Sequence, residues 1–352
     1  MKKLLLAISM VSFALAAHAA DNAALSRWAA KALTRCPDSK ITIEEMTVPL
    51  APVNFQVFTV TQTSSDKTCG GQKYLLYSPK SEQILMGAVI PLPADARPAE
   101  VRVNEISNQL LKSDTKTTIA PFPLPDGLHA VTITKQTAYG PFNYHGFIDQ
   151  GQHFLIIADR ANLRDDPSKT LLESLGVAAN GVRRGKAKSN VQIVELSDFQ
   201  CPTCGHAHKT VEPIIAKALG KISYTRLDLP LFEHHQWSLF AALGARAIQK
   251  VAPAKYWTYV NYIFENQEPI EKQKFDDVLK NFCEDRDIDW KAVEKIYRDP
   301  NEKTKLLEQV SRAFDAGIIS TPTYIVNGQI LGFGPEGKYT IDNIKKAIAA
   351  AK

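Results

Sequence analysis

What this sequence lacks narrows its chemistry before any motif is read. Past its first seventeen residues no stretch approaches about eighteen uninterrupted apolar residues, which excludes a helical membrane span there. No Walker-type phosphate loop is present, because the stretch from Gly181 to Lys186 has the wrong spacing. Excess charge is small. The formal net charge of +5 becomes +3 once Lys2 and Lys3 are set aside, too mild to imply nucleic acid or an anionic membrane as partner. Low-complexity tracts are few, and 45% hydrophobic composition over 352 residues is enough for two folded domains. Cysteine is scarce: there are 5, and the odd count leaves one without an intramolecular partner.

Two of those cysteines carry the strongest signal. Cys201-Pro202-Thr203-Cys204 follows the apolar residues Val191, Ile193, Val194 and Leu196 and precedes an amphipathic stretch, so the pair caps a strand-to-helix junction. A thiolate at a helix start faces unpaired N–H groups and the positive end of the helix dipole, which lower its pKa and make it nucleophilic. Pro202 suits the first turn, where its missing donor is not needed. Two intervening residues let both sulfurs meet as a reducible disulfide. Haem attachment needs His directly after the second Cys, and Gly205 stands there. Zinc needs two further ligands, and His206 and His208 lie too close to Cys204 for separated ligand pairs. An inert structural disulfide is disfavoured by placement at a helix start. The reading therefore calls for no cofactor and no metal.

The first nineteen residues read as an address. Lys2 and Lys3 precede an apolar stretch from Leu4 to Ala17, and Ala17-His18-Ala19 fits a small-residue cleavage site, which predicts a secretory signal peptide over residues 1–19. The expected location is the periplasm, where disulfides persist. Cys36 and Cys69 each lie beside turn-forming residues (Pro37 and Asp38; Gly70 and Gly71), so a structural disulfide between them is expected. Closing that loop contributes roughly 3 to 4 kcal/mol in the chain-entropy view. Cys283 continues the helical row Phe275, Val278, Leu279, Phe282 and is expected to be a buried small hydrophobe.

The chain then divides by pattern. Residues 20–95 and 96–176 each read as one helix followed by an antiparallel meander, either an internal duplication of two helix-plus-sheet units or a coincidence of spacing. Residues 177–189, rich in Gly and basic side chains, read as a solvated linker. From 190 to 352 the order is strand, a helix over Pro202 to Leu219, strand, a wholly helical block, a hairpin joined at Asn327-Gly328, and a last helix. The fold class expected is an α/β C-terminal domain with a helical insertion, preceded by an N-terminal α+β domain.

Three separated motifs now carry a resemblance. Glu195-Leu-Ser-Asp-Phe-Gln-Cys-Pro-Thr-Cys, then Leu229-Pro-Leu-Phe-Glu-His-His with an Ala-rich helix, then Ser320-Thr-Pro-Thr-Tyr-Ile-Val-Asn-Gly resemble a DsbA-type thiol:disulfide oxidoreductase of the thioredoxin superfamily over roughly Asn190 to Lys352. The resemblance implies a cis peptide bond at Pro322, lying against the active-site disulfide and leaving backbone groups free to pair with a substrate strand. It also matches Glu195 to a buried acid that helps move the proton of Cys204. Threonine at Thr321 resembles the isomerase branch. The N-terminal half is loosely similar to the dimerisation domain of disulfide isomerases such as DsbC and DsbG, where that domain forms a cleft for unfolded substrates.

The dithiol chemistry gives the expected mechanism: Cys201 forms a mixed disulfide with a partner protein and Cys204 resolves it. Thr203 carries no charge to support the thiolate, so the Cys201 pKa is expected below a free thiol and above the DsbA extreme of about 3.5, with a potential between about −120 mV and about −270 mV. The function expected is an exported oxidoreductase leaning to isomerase or reductase. The alternatives are a dithiol oxidase, a chaperone-like binding protein for unfolded chains, and a metal-handling protein. The partners expected are unfolded or misoxidised exported proteins and a membrane-bound redox protein, with no nucleic acid, for a monomer or homodimer. His206 and His208 are read as helix-surface residues, and His234 and His235 as loop or capping residues.

Overall fold

The computed structural model describes residues 22–33, 36, 38–48, 50–65 and 70–351. The expected signal peptide lies outside these residues. Within them the chain forms two sheets, one of eight strands and one of five.

The eight-stranded sheet is built from two similar runs. The first is helix α1 (residues 22–32) followed by β1 (Lys40–Glu45), β2 (Gln56–Thr63), β3 (Gly71–Ser78) and β4 (Gln83–Pro91). The second is α2 (Ala99–Leu111) followed by β5 (Thr115–Ile119), β6 (His129–Thr137), β7 (Gly140–Ile148) and β8 (Phe154–Asn162). Side chains alternate across a strand. Phe58, Val60, Leu75, Tyr77 and Ile84 therefore pack on Leu25, Trp28 and Ala29 of α1, while Val57, Leu76 and Leu85 face the other way. In the second run Val131, Ile133 and Ile148 pack on Val103 of α2. The strand order β1-β2-β3-β4-β8-β7-β6-β5 puts the last strands of the two runs side by side. They pair antiparallel from Gln83 opposite Asn162 to Pro91 opposite Phe154.

The five-stranded sheet has the order β13-β12-β10-β11-β9, from β9 (Val182–Gly185), β10 (Gln192–Ser197), β11 (Ser223–Asp228), β12 (Thr323–Val326) and β13 (Gln329–Ile330). Central β10 runs parallel to β11 and antiparallel to β12, and both its faces are covered. Ile193 faces a core with Val211, Ile215 and Ile344, the last from α13 (Lys338–Ala349). Val194 and Leu196 face the helical insertion, formed by α7 (Ser238–Val251), α8 (Tyr256–Glu265), α9 (Gln267–Ile270), α10 (Phe275–Glu284), α11 (Trp290–Tyr297) and α12 (Pro300–Asp315). Cys283 is fully buried there, and burial pushes its thiol up to about 11. At the β12–β13 hairpin Asn327 and Gly328 both take positive φ, 49° and 77°. A two-residue turn between right-twisted strands requires that geometry.

Two expectations are corrected here. Residues 177–189 are not a plain linker. They include α4 (Val177–Asn180), which follows α3 (Pro167–Ser174), and the edge strand β9, antiparallel to β11. The basic side chains that suggested solvent suit a sheet edge, where charge discourages further pairing. Arg184 lies over the Trp257 ring, 4.0 Å from its centroid, and pairs with Glu212. The single helix expected from Pro202 to Leu219 is broken into α5 (Pro202–Thr210) and α6 (Glu212–Ala218), because Pro213 has no N–H to continue the ladder.

The halves are fastened by aromatic packing. Phe142 of β7 lies 5.5 Å from Phe232 and 5.7 Å from Phe314, both edge-on. Ser311 of α12 donates to the Asn143 carbonyl at 2.6 Å, and Lys135 pairs with Glu233 at 2.6 Å.

Candidate functional site

The chain leaves β10 at Ser197, turns through Asp198-Phe199-Gln200, and enters α5 at Pro202, so Cys201 is the N-cap residue with extended backbone (φ −65°, ψ 122°). The first-turn N–H groups of the helix lie open toward that position. The Cys204 thiol, donating to the Cys201 sulfur, brings the Cys201 pKa down to about 5; the Cys204 and Thr203 N–H groups and Thr321 add to this against the effect of burial. Cys204 is fully buried, and that burial raises its thiol well above the ordinary value. The two thiols are thus unequal: one is an anion at neutral pH, the other a retained acid. Both are free, as is Cys283.

The loop before β12 closes over the pair. The Thr321–Pro322 peptide bond is cis, the form the resemblance implies, and the Cys201 sulfur lies 3.5 Å from the Thr321 carbonyl oxygen. Behind the helix start, Gln267 donates to the carbonyls of Phe199 at 2.8 Å and Cys201 at 3.0 Å. Gly205 makes room for it, since a Cβ at that position collides with the Gln267 amide. Gln200 and Trp237 both donate to Glu271, at 3.1 and 2.7 Å, and the Gln200 amide oxygen accepts from the Trp237 backbone at 2.7 Å.

Glu195 is buried, as the resemblance implies; it accepts from the Tyr224 hydroxyl and pairs with the Arg226 guanidinium at 3.4 Å. Arg226 is itself 1% exposed, pairs also with Asp228 at 3.2 Å, and stacks over Phe199 at 4.3 Å. The Asp198 N–H lies 3.5 Å from the Cys204 sulfur, and Cys201, Ser197 and the Asp198 backbone act on its titration besides burial.

The histidines separate. His206 and His234 are exposed. His208 is not a surface residue: it is half-buried, stacks on Phe264 at 4.8 Å, and burial brings its pKa down to about 4, so it stays neutral at physiological pH. His235 reaches the Asp198 carboxylate with Nδ1 at 2.7 Å. The pattern reading missed Asp198, Gln200, Gln267 and Glu271. The polar residues between β10 and Cys201 were the signal for the first two. Gln267 at the start of α9 and Glu271 just past its end lie far along the chain and leave no local mark.

Cys36 is buried and disulfide-bonded, while Cys69, its expected partner, lies outside the described residues. Among the described residues no helix is long and apolar enough to cross a membrane. Beside the Pro322 loop a cleft of about 760 Å³ opens between the halves, lined by Trp28 of α1, Tyr74 of β3, Asp159 of β8, Asp315, Ile319 and Pro322. Ile319 is 68% exposed at its mouth. The Asp159 carboxyl in its lining is raised to about 7, mainly by burial and then by the Asp315 charge.

The thioredoxin family model matches residues 178–350. The chain is 28% identical over 170 residues to a probable disulfide bond formation protein D of Bacillus cereus, covering 47% of this chain and 75% of that one. It is 26% identical over 168 residues to the Na(+)/H(+) antiporter NhaA 3 of Salinispora tropica, covering 48% of this chain and 24% of that one. The chain thus spans about a quarter of the length of those antiporter relatives. Among solved structures, BdbD from Bacillus subtilis aligns with a TM-score of 0.41 at 21% identity over 51% of this chain and 95% of that chain. The alpha-DsbA2 exchange protein from Wolbachia pipientis aligns with a TM-score of 0.43 at 19% identity over 54% of this chain and 98% of that chain.

Proposed function

We propose that the C-terminal half, which the thioredoxin family model matches over residues 178–350, is a DsbA-like domain and that this chain exchanges disulfides with other proteins through Cys201 and Cys204. The observation that carries the reading is the unequal dithiol: an N-cap Cys201 brought down to about 5 beside a buried Cys204 held well above its ordinary value. The Cys201 thiolate attacks one sulfur of a substrate disulfide. A mixed disulfide forms and the other substrate sulfur leaves as a thiolate. Cys204 then loses its proton and attacks the Cys201 sulfur, which releases the second substrate thiol and oxidises the protein. A substrate thiol attacking the mixed disulfide instead returns the Cys201 thiolate and leaves a rearranged substrate.

The second outcome is isomerisation, and the uncharged Thr203 and the Thr321 before Pro322 favour it. Cys201 at about 5 lies between the DsbA and thioredoxin thiols, about 3.5 and about 7. An intermediate pKa supports a potential between about −120 and −270 mV. The substrates are unfolded or misoxidised exported proteins, the cleft beside Pro322 receives them, and a membrane-bound redox protein keeps the dithiol reduced. Thr321, Pro322 and Glu195 serve here as substrate-facing and supporting residues. Equilibration of the purified protein in glutathione redox buffers tests the direction. A potential near −120 mV, like DsbA, overturns the isomerase reading in favour of an oxidase.

A further inference from the structure

One charged pair beside the dithiol has no part in the exchange steps. Asp198, 1% exposed, precedes Cys201 by three residues. Its carboxylate accepts from the backbone N–H of Gln200 and of Leu231, both at 2.7 Å, and from His235 Nδ1 at 2.7 Å. Its own N–H meets the Cys204 sulfur at 3.5 Å. A buried anion on the same turn as both thiols opposes a second anion on Cys201, by like-charge repulsion in a place water screens poorly. The residues between the cysteines, Pro202 and Thr203, carry no charge to offset it.

His235 supplies the missing sign. A carboxylate only accepts, so Nδ1 carries a proton, and a second proton on Nε2 makes the ring a cation. The side chain is 21% exposed, so that proton exchanges with solvent. His235 touches Asp198 from the loop after β10, and the charges that act on it are those of Asp198, of Cys201 at the start of α5 and of Glu271 just past α9. The hydrogen bond to Asp198 first, then the Asp198, Cys201 and Glu271 charges, hold its pKa above the ordinary value against the effect of burial. On its own loop Glu233 is occupied by Lys135. We propose that His235, held by Asp198, is the cationic partner of the Cys201 thiolate, brought to the dithiol from the β11–α7 loop. This rests on the thiol-exchange reading above. His235 then acts as a positioning charge that touches neither substrate sulfur.

The test is the titration of Cys201 by thiolate absorbance in reduced protein. His235→Gln keeps a donor for Asp198 and cannot become a cation; its Cys201 titration is expected to rise by roughly one pH unit, and alkylation of Cys201 below that pH to slow about tenfold. His235→Lys restores the charge and is expected to reverse most of the rise. An unmoved titration in folded His235→Gln, or a rise that His235→Lys leaves in place, overturns the proposal. Should His235→Gln not fold, imidazole NMR decides: the His235 titration is expected to fall in Cys201→Ser, and an unchanged one overturns the proposal. An ordinary thiol titration in the unaltered protein overturns the exchange reading as well, whereas a low value indifferent to His235 sinks this inference alone.

Discussion

Phe142, on a strand of the N-terminal sheet, packs edge-on at 5.5 Å against Phe232, three residues before His235 on the loop beside the dithiol. The two halves therefore meet through the same loop that carries His235 to Asp198. Tyr139 joins this cluster at 5.6 Å from Phe232, and its hydroxyl donates to the Gln236 carbonyl at 2.9 Å.

Phe142→Ala removes a buried ring that three other rings contact. A loss of about 3–5 kcal/mol is expected, since phenylalanine truncation in a packed core costs that much. Urea unfolding measures it. A loss below about 1 kcal/mol would show that the cluster does not fasten the halves.

Cys201→Ser is expected to abolish thiol exchange, whereas Cys204→Ser leaves an attacking thiol that cannot be resolved. Partners then accumulate as mixed disulfides, visible on non-reducing gels. Exchange surviving in Cys201→Ser contradicts the assignment of the nucleophile.

The pH dependence follows from the lowered Cys201 thiol. Its folded value is about 5 and an unfolded thiol titrates near 8.5, so ionisation stabilises the folded, reduced protein. That contribution is complete above about pH 8.5 and is lost as pH falls through about 5. The oxidised protein has no such thiol. Denaturant titrations of both redox forms are expected to show the reduced form losing ground between about pH 8 and pH 4. A constant difference across that range would mean that Cys201 is not depressed.

Cys36 and Cys69 are expected to be joined, leaving Cys283 as the unpaired cysteine buried in the insertion. Peptide mapping of the unreduced protein checks this. Alkylation of either Cys36 or Cys69 without a reductant counts against it.

Local sequence determined the elements that rest on local chemistry. Alternation in Phe58, Val60, Leu75 and Tyr77 marks strands of a half-buried sheet because side chains switch faces at each residue. The turn at Asn327-Gly328 and the placing of Cys201 at a helix start follow from backbone preferences and from the N–H groups that any helix leaves open. Tertiary structure decided what depends on residues far apart in the chain. The β4–β8 pairing joins strands about seventy residues apart, and β9 became a strand because β11 offered it an edge. Glu195 was legible as a buried acid, but Tyr224 and Arg226 engage it, and the groups found at Cys204 are those of Ser197 and Asp198. Asp198 and His235, separated by 37 residues, meet only after the insertion has packed. Their pairing depends on burial, which lowers the dielectric and makes one charge require another. No window of sequence shows which residue the folded chain will bury beside which.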